Sequence, residues 1–256
     1  MKTFDGLRKM CAQAIDSGIV TFDTAPSYKT EEVLGCALAE VIKEKEIVRE
    51  QIRVQTKIDP IQMYEGLVED YFRKKLTAMG LEYVDALLVH WPVYKYFRKT
   101  WEEMTAIKEK GLARRIGICN LRVEHLRELE SIGIVPEILQ IERHPLNTFE
   151  QECLFCRQHQ IEVQSYSPLC KMHPLLRENP MLKRIAESHG ANIGQVIMKW
   201  HIQTGAIPVF TTTKSERIVQ YAALGDIVLT EDEISAVSSL NCNHKMYLES
   251  LICPGS

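Results

Sequence analysis

Short apolar runs alternate with longer amphipathic stretches along the chain. Seven runs of four to seven residues are rich in β-branched and aromatic side chains, which is typical of strands, and each is followed by a stretch with helical periodicity. The runs are residues 19–22, 52–56, 83–89, 115–118, 138–141, 161–166 and 207–210. Alternation repeated this often predicts parallel strands joined by crossover helices, because a parallel pair needs a long connection.

Local signals at the helix ends support this interpretation. Thr30 precedes two acidic residues, which is typical of a helix start. Gly80, Gly111 and Gly190 stand where three helices are expected to end. Because no repeat, low-complexity tract or linker interrupts the pattern, we predict a single domain over residues 1–256.

Two architectures fit such alternation, an open doubly wound sheet and a closed (β/α)8 TIM barrel. An open sheet that binds a dinucleotide usually carries Gly-x-Gly-x-x-Gly after its first strand, and the sequence has no such motif. A length of 256 residues suits a single barrel. The sequence therefore predicts an α/β fold of the (β/α)8 TIM barrel type.

The barrel is one strand short, and the shortage falls at the N-terminus. Residues 7–17 already have the pattern of a helix, and only six residues precede them. The helix that should follow the first strand is thus expected, whereas the strand is not. We predict a barrel lacking its first strand, either because the chain starts late or because another element or a partner chain fills the gap.

Composition narrows the class of protein further. Hydrophobic residues make up 45% of the chain and charged residues 25%, which is ordinary for a globular protein, and the net charge of -3 gives no sign of a nucleic-acid surface. No apolar run is long enough to span a bilayer, and no signal-peptide core follows Met1. We expect a cytoplasmic protein, a monomer or weak oligomer, that binds a small molecule rather than nucleic acid or a membrane.

Eight cysteines in a chain without a secretory signal predict reduced thiols. Cys153 and Cys156 form a Cys-x-x-Cys pair, but no second pair completes a zinc site. A redox motif would open a helix directly after a strand, whereas this pair lies inside the helical pattern of residues 149–158. We interpret both cysteines as packing residues and predict no metal site.

Polar residues end the apolar runs, and in a TIM barrel the carboxyl ends of the strands form the active-site face. These residues are Asp23, Lys57, His90, Asn120, Gln140 with Glu142 and His144, Tyr166, and Thr211 with Thr212. One such residue alone would be an ordinary turn residue. Seven strands that end this way predict a shared polar site.

A subset of these residues suits one reaction. Lys57 beside Asp23 would form a buried ion pair, and a tyrosine next to that lysine would have its pKa lowered from about 10. Tyr28 would then donate a proton at neutral pH, while His90 orients or polarises a carbonyl oxygen. The pattern favours hydride transfer to a carbonyl, with a purely structural ion pair as the alternative.

Six ordered motifs are similar to those of the aldo-keto reductase family. Residues 22–35 resemble the signature D-x-A-x-x-Y-x-x-E-x-x-[VL]-G, and residues 88–92 resemble the strand-four motif L-x-H-W-P. The other segments are 55–57 with the strand-three lysine, 117–120 (G-x-S-N), 140–145 (Q-x-E-x-H-P) and 166–169 (Y-S-P-L). The resemblance runs in order from about residue 7 to residue 240, which makes it specific.

The resemblance implies an NAD(P)H-dependent oxidoreductase that reduces aldehyde or ketone carbonyls to alcohols. It makes Tyr28 the general acid, tuned by Lys57 and Asp23, with His90 orienting the carbonyl. The residues that it implies for the cofactor are Cys119, Asn120, Gln140, Tyr166, Ser167, Leu169, Thr211, Thr212, Lys214 and Arg217. In this scheme Tyr166 stacks on the nicotinamide. The substrate pocket is expected to be shaped by Trp91, by the loop of residues 91–98 with its aromatic residues Tyr94, Tyr96 and Phe97, and by the tail after Asn241 with Tyr247. For Glu142 and His144, a structural hydrogen-bond network is an equal alternative.

Four departures from the family pattern bear on the cofactor. The first strand, whose end carries Gly-Thr in the family, is absent. Cys119 replaces a serine, and Cys170 stands where a glycine often follows Y-S-P-L. Thr211 occupies the position of the family's phosphate-binding lysine, although Lys214 and Arg217 would still clamp a phosphate. We predict NADP as the cofactor, with NAD as the alternative.

Two other functions are compatible with the sequence. A non-catalytic barrel that binds a nucleotide, or serves as a partner subunit, would explain the missing strand and the altered cofactor contacts. The intact group of tyrosine, lysine, aspartate and histidine argues instead for an enzyme. A phosphate-binding lyase or isomerase lacks the expected metal-ligand spacing.

Overall fold

The structure is a computed structural model that describes residues 3–247. Seven strands lie where the apolar runs predict them: β1 (Thr21–Asp23), β2 (Arg53–Ile58), β3 (Val84–Val89), β4 (Ala113–Cys119), β5 (Ile138–Glu142), β6 (Glu162–Tyr166) and β7 (Ala206–Val209). Each overlaps its predicted run, because clustered apolar residues mark buried strands whatever their neighbours. No strand precedes the first helix within the described part of the chain.

Twelve α-helices lie among the described residues. They are α1 (Phe4–Asp16), α2 (Glu31–Glu44), α3 (Pro60–Glu65), α4 (Val68–Met79), α5 (Tyr94–Glu109), α6 (Val123–Ser131), α7 (Glu150–Gln158), α8 (Pro174–Arg177), α9 (Pro180–Ser188), α10 (Ile193–Gln203), α11 (Ser215–Ala222) and α12 (Glu231–Ser238). Short 3-10 helices span Pro26–Tyr28, Arg49–Gln51 and Cys170–Met172. Thr30 is the N-cap of α2, and Gly80 ends α4 in a left-handed conformation, as the local signals predict.

The chain divides into two compact units. The described part of the first unit is residues 3–120 and 136–138, and it contains the parallel strands β1 to β4 in that order. Gly35, in the signature segment, lies where α2 meets α4, and a Cβ there would stand 2.1 Å from the carbonyl oxygen of Met79. Only glycine permits this close approach of two helix backbones.

The second unit comprises residues 121–135 and 139–247 of the described chain, with β5 from residue 139 onward, β6 and β7 in that order. β6 and β7 are parallel, with Tyr166 paired to Val209 at their carboxyl ends. Fully buried side chains of α9 and α10 form the centre of its hydrophobic core: Leu182, Val196, Ile197 and Trp200. The register places the end of β6, where the polar residues lie, beside the end of β7.

The described cysteines are all free thiols, and the Cys-x-x-Cys pair lies within α7 as predicted. Among residues 3–247 there is no group of three or more His, Cys, Asp or Glu side chains that could hold a metal ion. No helix in the same range has the length and hydropathy needed to cross a membrane.

Candidate active site

A buried ion pair lies at the carboxyl ends of β1 and β2. The parallel register pairs Asp23 with Gln55, which places the last residue of β1 beside Lys57 near the end of β2. The Lys57 Nζ atom donates to both Asp23 carboxylate oxygens, at 2.7 and 2.8 Å, and to the Thr24 carbonyl oxygen at 2.9 Å. The Lys57 side chain is fully buried, so its charge depends on these partners rather than on water.

Tyr28 is the further partner of this lysine. It ends the 3-10 helix Pro26–Tyr28, in which Pro26 fixes the backbone at the first position. The Tyr28 hydroxyl lies 3.4 Å from the Lys57 Nζ atom, while its side chain remains 45% exposed. The structure therefore brings Tyr28 together with the ion pair of Lys57 and Asp23, as the sequence predicts.

The expected lowering of the Tyr28 pKa is wrong in direction. Desolvation of the phenol raises the pKa of Tyr28 above its ordinary value of 10.0, and Lys57 offsets this only in part because Asp23 acts against it. Burial by itself lowers the pKa of Lys57, but Asp23 and Tyr28 outweigh burial and leave it above 10.5. At neutral pH the tyrosine thus holds its proton and the lysine its charge.

His90 directly follows β3 and faces the same tyrosine. Its ring meets the Tyr28 ring edge-on, with the centroids 5.7 Å apart. The His90 backbone N–H donates to the Ile58 carbonyl at 2.9 Å, and its own carbonyl accepts from the Asn120 side-chain amide at 2.9 Å. These bonds fix the segment after β3 against the ends of β2 and β4.

Asp59 belongs to this group, and the sequence does not single it out. Its Oδ1 atom lies 2.5 Å from Nδ1 of His90, and its Oδ2 atom accepts a 2.9 Å hydrogen bond from the Ser27 N–H. A polar residue before Pro60 is typical of a helix cap, and Asp59 does cap α3. The signal that could have revealed it is its place two residues after Lys57, directly beyond a strand end.

Cys119 ends β4, and Asn120 directly follows it. Burial raises the pKa of the Cys119 thiol, so the residue is a neutral thiol rather than a reactive thiolate. Asn120 has a φ of +62°, in the left-handed region that asparagine tolerates better than most residues. Both residues therefore present fixed, uncharged groups at the end of the strand.

In the second unit, the ends of β5 and β6 carry further residues predicted to bind the cofactor. The Gln140 side-chain amide donates to the Gln164 oxygen at 2.9 Å. Tyr166 meets Tyr247 edge-on with the ring centroids 5.7 Å apart, so the segment after α12 lies against the tyrosine expected to stack on a nicotinamide. Ser167 has a φ of +50°, which starts the turn after β6.

Glu142 fastens this C-terminal segment to the end of β5. It accepts hydrogen bonds from the Met246 N–H at 2.6 Å, the Tyr247 N–H at 3.0 Å and the His144 Nε2 atom at 3.1 Å. Burial acts to raise the pKa of Glu142, but these donors outweigh it and lower the pKa. Glu142 and His144 thus form a hydrogen-bond network.

Arg143 and His201 are a second pair that the sequence does not single out. The His201 Nε2 atom lies 3.1 Å from the Pro168 carbonyl, and its Nδ1 lies 3.1 Å from the Arg143 guanidinium. Burial lowers the pKa of His201 well below 6.5, so the ring is neutral, donating to Pro168 and accepting from Arg143. The pair supports the turn that contains Ser167 and Leu169. The only sequence signal for this pair is Arg143, which stands between the polar residues Glu142 and His144 at the end of β5.

The remaining predicted residues are partly or fully accessible. The Thr212 hydroxyl accepts from the Lys214 N–H at 3.0 Å at the start of α11, where Lys214, Arg217 and Thr211 are exposed. Tyr94 opens α5 and is exposed, and Trp91 is half-buried beside His90, with ring centroids 5.9 Å apart.

One aromatic residue of the expected substrate loop lies elsewhere. Phe97 is buried and stacks on Trp101 with ring centroids 5.9 Å apart, because residues 94–109 form a helix rather than an extended loop. Its spacing of four from Trp101 puts both rings on one helix face.

A strand-end group of tyrosine, lysine, aspartate and histidine in a parallel α/β fold defines a class of oxidoreductases that act on carbonyl and alcohol groups. The family model described as the aldo/keto reductase family matches residues 2–241. The chain belongs to the aldo/keto reductase family, and its fold is that family's (β/α)8 TIM barrel, with seven strands within residues 3–247.

Individual relatives agree with this assignment. The glyoxal reductase of Bacillus subtilis (strain 168) is 32% identical over 91% of this chain and 83% of its own length. The 9,11-endoperoxide prostaglandin H2 reductase of Trypanosoma cruzi is 35% identical over 89% of this chain and 80% of its own length. The crystal structure of an aldo-keto reductase of Bombyx mori in complex with NADP has a TM-score of 0.89 at 30% identity, covering 97% of this chain and 87% of that one.

Proposed function

We propose that this protein reduces aldehyde or ketone carbonyls to alcohols with NADPH, and that Tyr28 donates the proton. The observation that carries the proposal is the buried Lys57 ammonium, which contacts both the Asp23 carboxylate and the Tyr28 hydroxyl. A carbonyl carbon that accepts a hydride leaves a negative oxygen, which requires a proton from a neighbouring acid. Tyr28 is protonated at neutral pH and partly exposed, so its hydroxyl is suited to that role.

Each residue of the group has a distinct part in the proton transfer. Lys57 stabilises the negative phenolate oxygen that forms when Tyr28 loses its proton, because a fixed ammonium in a buried place needs no reorganisation. Asp23 keeps Lys57 charged despite its burial. His90, beside Tyr28, orients the substrate oxygen toward the hydroxyl. The intact contacts among these side chains argue against the non-catalytic alternative.

The second unit offers a donor set that fits a dinucleotide. NADPH supplies the hydride when it is bound. Lys214 and Arg217 are exposed cations at the start of α11, where backbone N–H groups also favour a phosphate, and we assign them with Thr211 and Thr212 to the 2′-phosphate of NADPH. The residues assigned to the rest of the cofactor are Cys119, Asn120, Gln140, Tyr166, Ser167 and Leu169.

We further propose that the substrates are small aldehydes. Relatives named glyoxal reductase and methylglyoxal reductase are 32% and 30% identical to this chain. We assign three aromatic residues to the substrate. Trp91 lies next to His90, Tyr94 begins α5, and Tyr247 packs against Tyr166. Glyoxal and methylglyoxal are therefore the first compounds to test.

The test removes one hydroxyl. Tyr28→Phe is expected to lower kcat by roughly 100-fold or more, because a positioned acid contributes about that factor. NADPH binding, followed by quenching of tryptophan fluorescence, is expected to stay as in the wild type. Tyr64→Phe is the matched control, since Tyr64 is 68% exposed and its ring packs on Tyr96. Wild-type turnover by Tyr28→Phe, followed as NADPH absorbance, would show that another group donates the proton.

A further inference from the structure

Asp59 contacts both groups that flank Tyr28. One carboxylate oxygen lies on the His90 ring nitrogen Nδ1, and the other accepts the N–H of Ser27, the residue before Tyr28. The side chain is buried, with 8% of the residue exposed. A single carboxylate thus ties the end of β3 to the 3-10 helix that carries the tyrosine.

We propose that Asp59 is a positioning residue that fixes both the orientation of the His90 ring and the nitrogen that carries its proton. An ionised carboxylate only accepts hydrogen bonds, so Nδ1 must be the protonated nitrogen. In the neutral ring Nε2 then has no proton. Within residues 3–247, no side chain or backbone group shares a hydrogen bond with Nε2, which leaves it as the nitrogen that meets a ligand.

This arrangement limits what His90 offers a substrate, and it rests on the proposed function, in which His90 orients the carbonyl. A carbonyl oxygen needs a donor. Because Asp59 accepts from Nδ1 and so keeps the ring proton there, Nε2 can donate only when the ring carries a second proton. Polarisation of the carbonyl by His90 is therefore expected to be lost as the pH rises.

The variant Asp59→Asn is expected to move the His90 proton from Nδ1 to Nε2 while keeping the size and shape of the side chain at position 59. The Ser27 N–H still requires an acceptor, so the amide oxygen takes the Oδ2 position and the amide NH2 group faces Nδ1 of His90. Nδ1 then accepts, and Nε2 carries the proton of the neutral ring. Asparagine also caps helices as well as aspartate does, so the start of α3 is retained.

The groups around His90 leave a clear pH window. The ring is faced by Tyr28 and Asp59, with Lys57, Asp23 and the Cys119 thiol adjoining them. The pKa values of Tyr28, Lys57 and Cys119 are all raised, from 10.0, 10.5 and 9.0 respectively. These groups keep their protons between neutral pH and the ordinary pKa of tyrosine, 10.0, so they do not change the pH dependence of kcat/KM in that range.

Two measurements test the proposal. In 15N-histidine-labelled protein, the His90 signals, assigned by their absence in His90→Gln, are expected to show a protonated Nδ1 in the wild type and a protonated Nε2 in Asp59→Asn. With NADPH and glyoxal, the wild-type kcat/KM is expected to fall about tenfold per pH unit along a limb that His90→Gln lacks. Asp59→Asn is expected to change less than about twofold over that range.

Gln62→Leu controls for loosening of α3, because the Gln62 side chain accepts the Asp59 N–H at 3.0 Å but has no contact with His90 among the described residues. It is expected to keep the wild-type tautomer and pH profile. The proposal is overturned if wild-type His90 carries its proton on Nε2, or if the Asp59→Asn profile superimposes on that of the wild type. Should Asp59→Asn not fold, the wild-type spectrum and Asp59→Ser, which also caps helices, give the same decision.

Failure of the proposed function is distinguished from failure of this inference. Wild-type turnover in Tyr28→Phe would refute Tyr28 as donor and leave the tautomer result standing. A wrong tautomer would refute the role of Asp59 and leave the Tyr28 result standing.

Discussion

Replacing Lys57 with methionine removes the cation from a buried pair and leaves the carboxylate of Asp23 behind. At the observed 2.7 Å separation, the attraction between unit charges is about 6 kcal/mol for an effective dielectric constant of about 20. Most of this is offset in the wild type by the cost of burying both charges. In Lys57→Met the attraction is lost while the cost of burying the Asp23 carboxylate remains, although Asp23 still accepts a 2.6 Å hydrogen bond from the Gln55 side chain.

The expected loss of unfolding free energy is about 3 kcal/mol, at the low end for a broken buried pair, because Asp23 is 13% exposed and retains that hydrogen bond. For a protein of this size the loss corresponds to a fall in Tm of roughly 6–12 °C. Urea unfolding followed by circular dichroism measures the free energy directly, and a thermal scan measures Tm.

A double-mutant cycle with Asp23→Asn isolates the pair itself. The double variant has no buried carboxylate to leave uncompensated, so it is expected to be more stable than the sum of the single changes by about 2 kcal/mol. Additivity within about 0.5 kcal/mol would refute a direct coupling between the two side chains. A loss below about 1 kcal/mol in Lys57→Met would refute the buried cation as a strong constraint.

The pH dependence of this pair has a definite sign. The pKa of Lys57 is raised in the folded protein, so the stabilisation is fully present below its ordinary value of 10.5 and is lost as the pH rises through the folded value. Wild-type unfolding free energy is therefore expected to decline above pH 10.5, and the decline is expected to be smaller in Lys57→Met.

Two other predictions concern stability and the C-terminal segment. Gly35→Ala is expected to lower the free energy of unfolding by about 2–3 kcal/mol, because the added Cβ would meet the Met79 carbonyl oxygen at 2.1 Å. Gly225→Ala, which has open space around the added carbon, is the neutral control in the same urea titration. Glu142→Gln is expected to raise the rate of trypsin cleavage after Lys245 by roughly tenfold, because the negative charge that binds the Met246 and Tyr247 N–H groups is lost. Glu150→Gln, a change at an exposed residue, is the control. Equal cleavage rates in the two variants would contradict the fastening role of Glu142. Because the pKa of Glu142 is lowered in the folded protein, the stabilisation from this carboxylate is present above its ordinary value of 4.5 and lost as the pH falls through the folded value.

The strands were predictable because each depends on its own run of apolar residues. The runs at residues 83–89 and 161–166 coincide closely with β3 and β6, since buried parallel strands need little information from elsewhere in the chain. Phe97 shows the limit of this reasoning. Its helical spacing from Trp101 is visible in the sequence, but aromatic residues after His90-Trp91-Pro92 also suit a substrate loop.

Within the active-site group, charge partners were easier to predict than environments. The pairing of Lys57 with Asp23 follows from two opposite charges at strand ends. The direction of the Tyr28 pKa depends on how far the phenol is desolvated, which only the folded surroundings determine. Asp59 was missed for a similar reason, since a residue that caps a helix and also meets a histidine on another strand looks like a cap alone.

The Glu142 carboxylate binds backbone N–H groups of the C-terminal segment and not the side chains of that segment. The bonds go to the N–H groups of Met246 and Tyr247, and every residue except proline supplies the same donor. Substitutions at these two positions can therefore change the size and polarity of the surface beside Tyr166 without detaching the segment. The surface that we propose for substrate contact at Tyr247 can therefore change while the fastening stays constant.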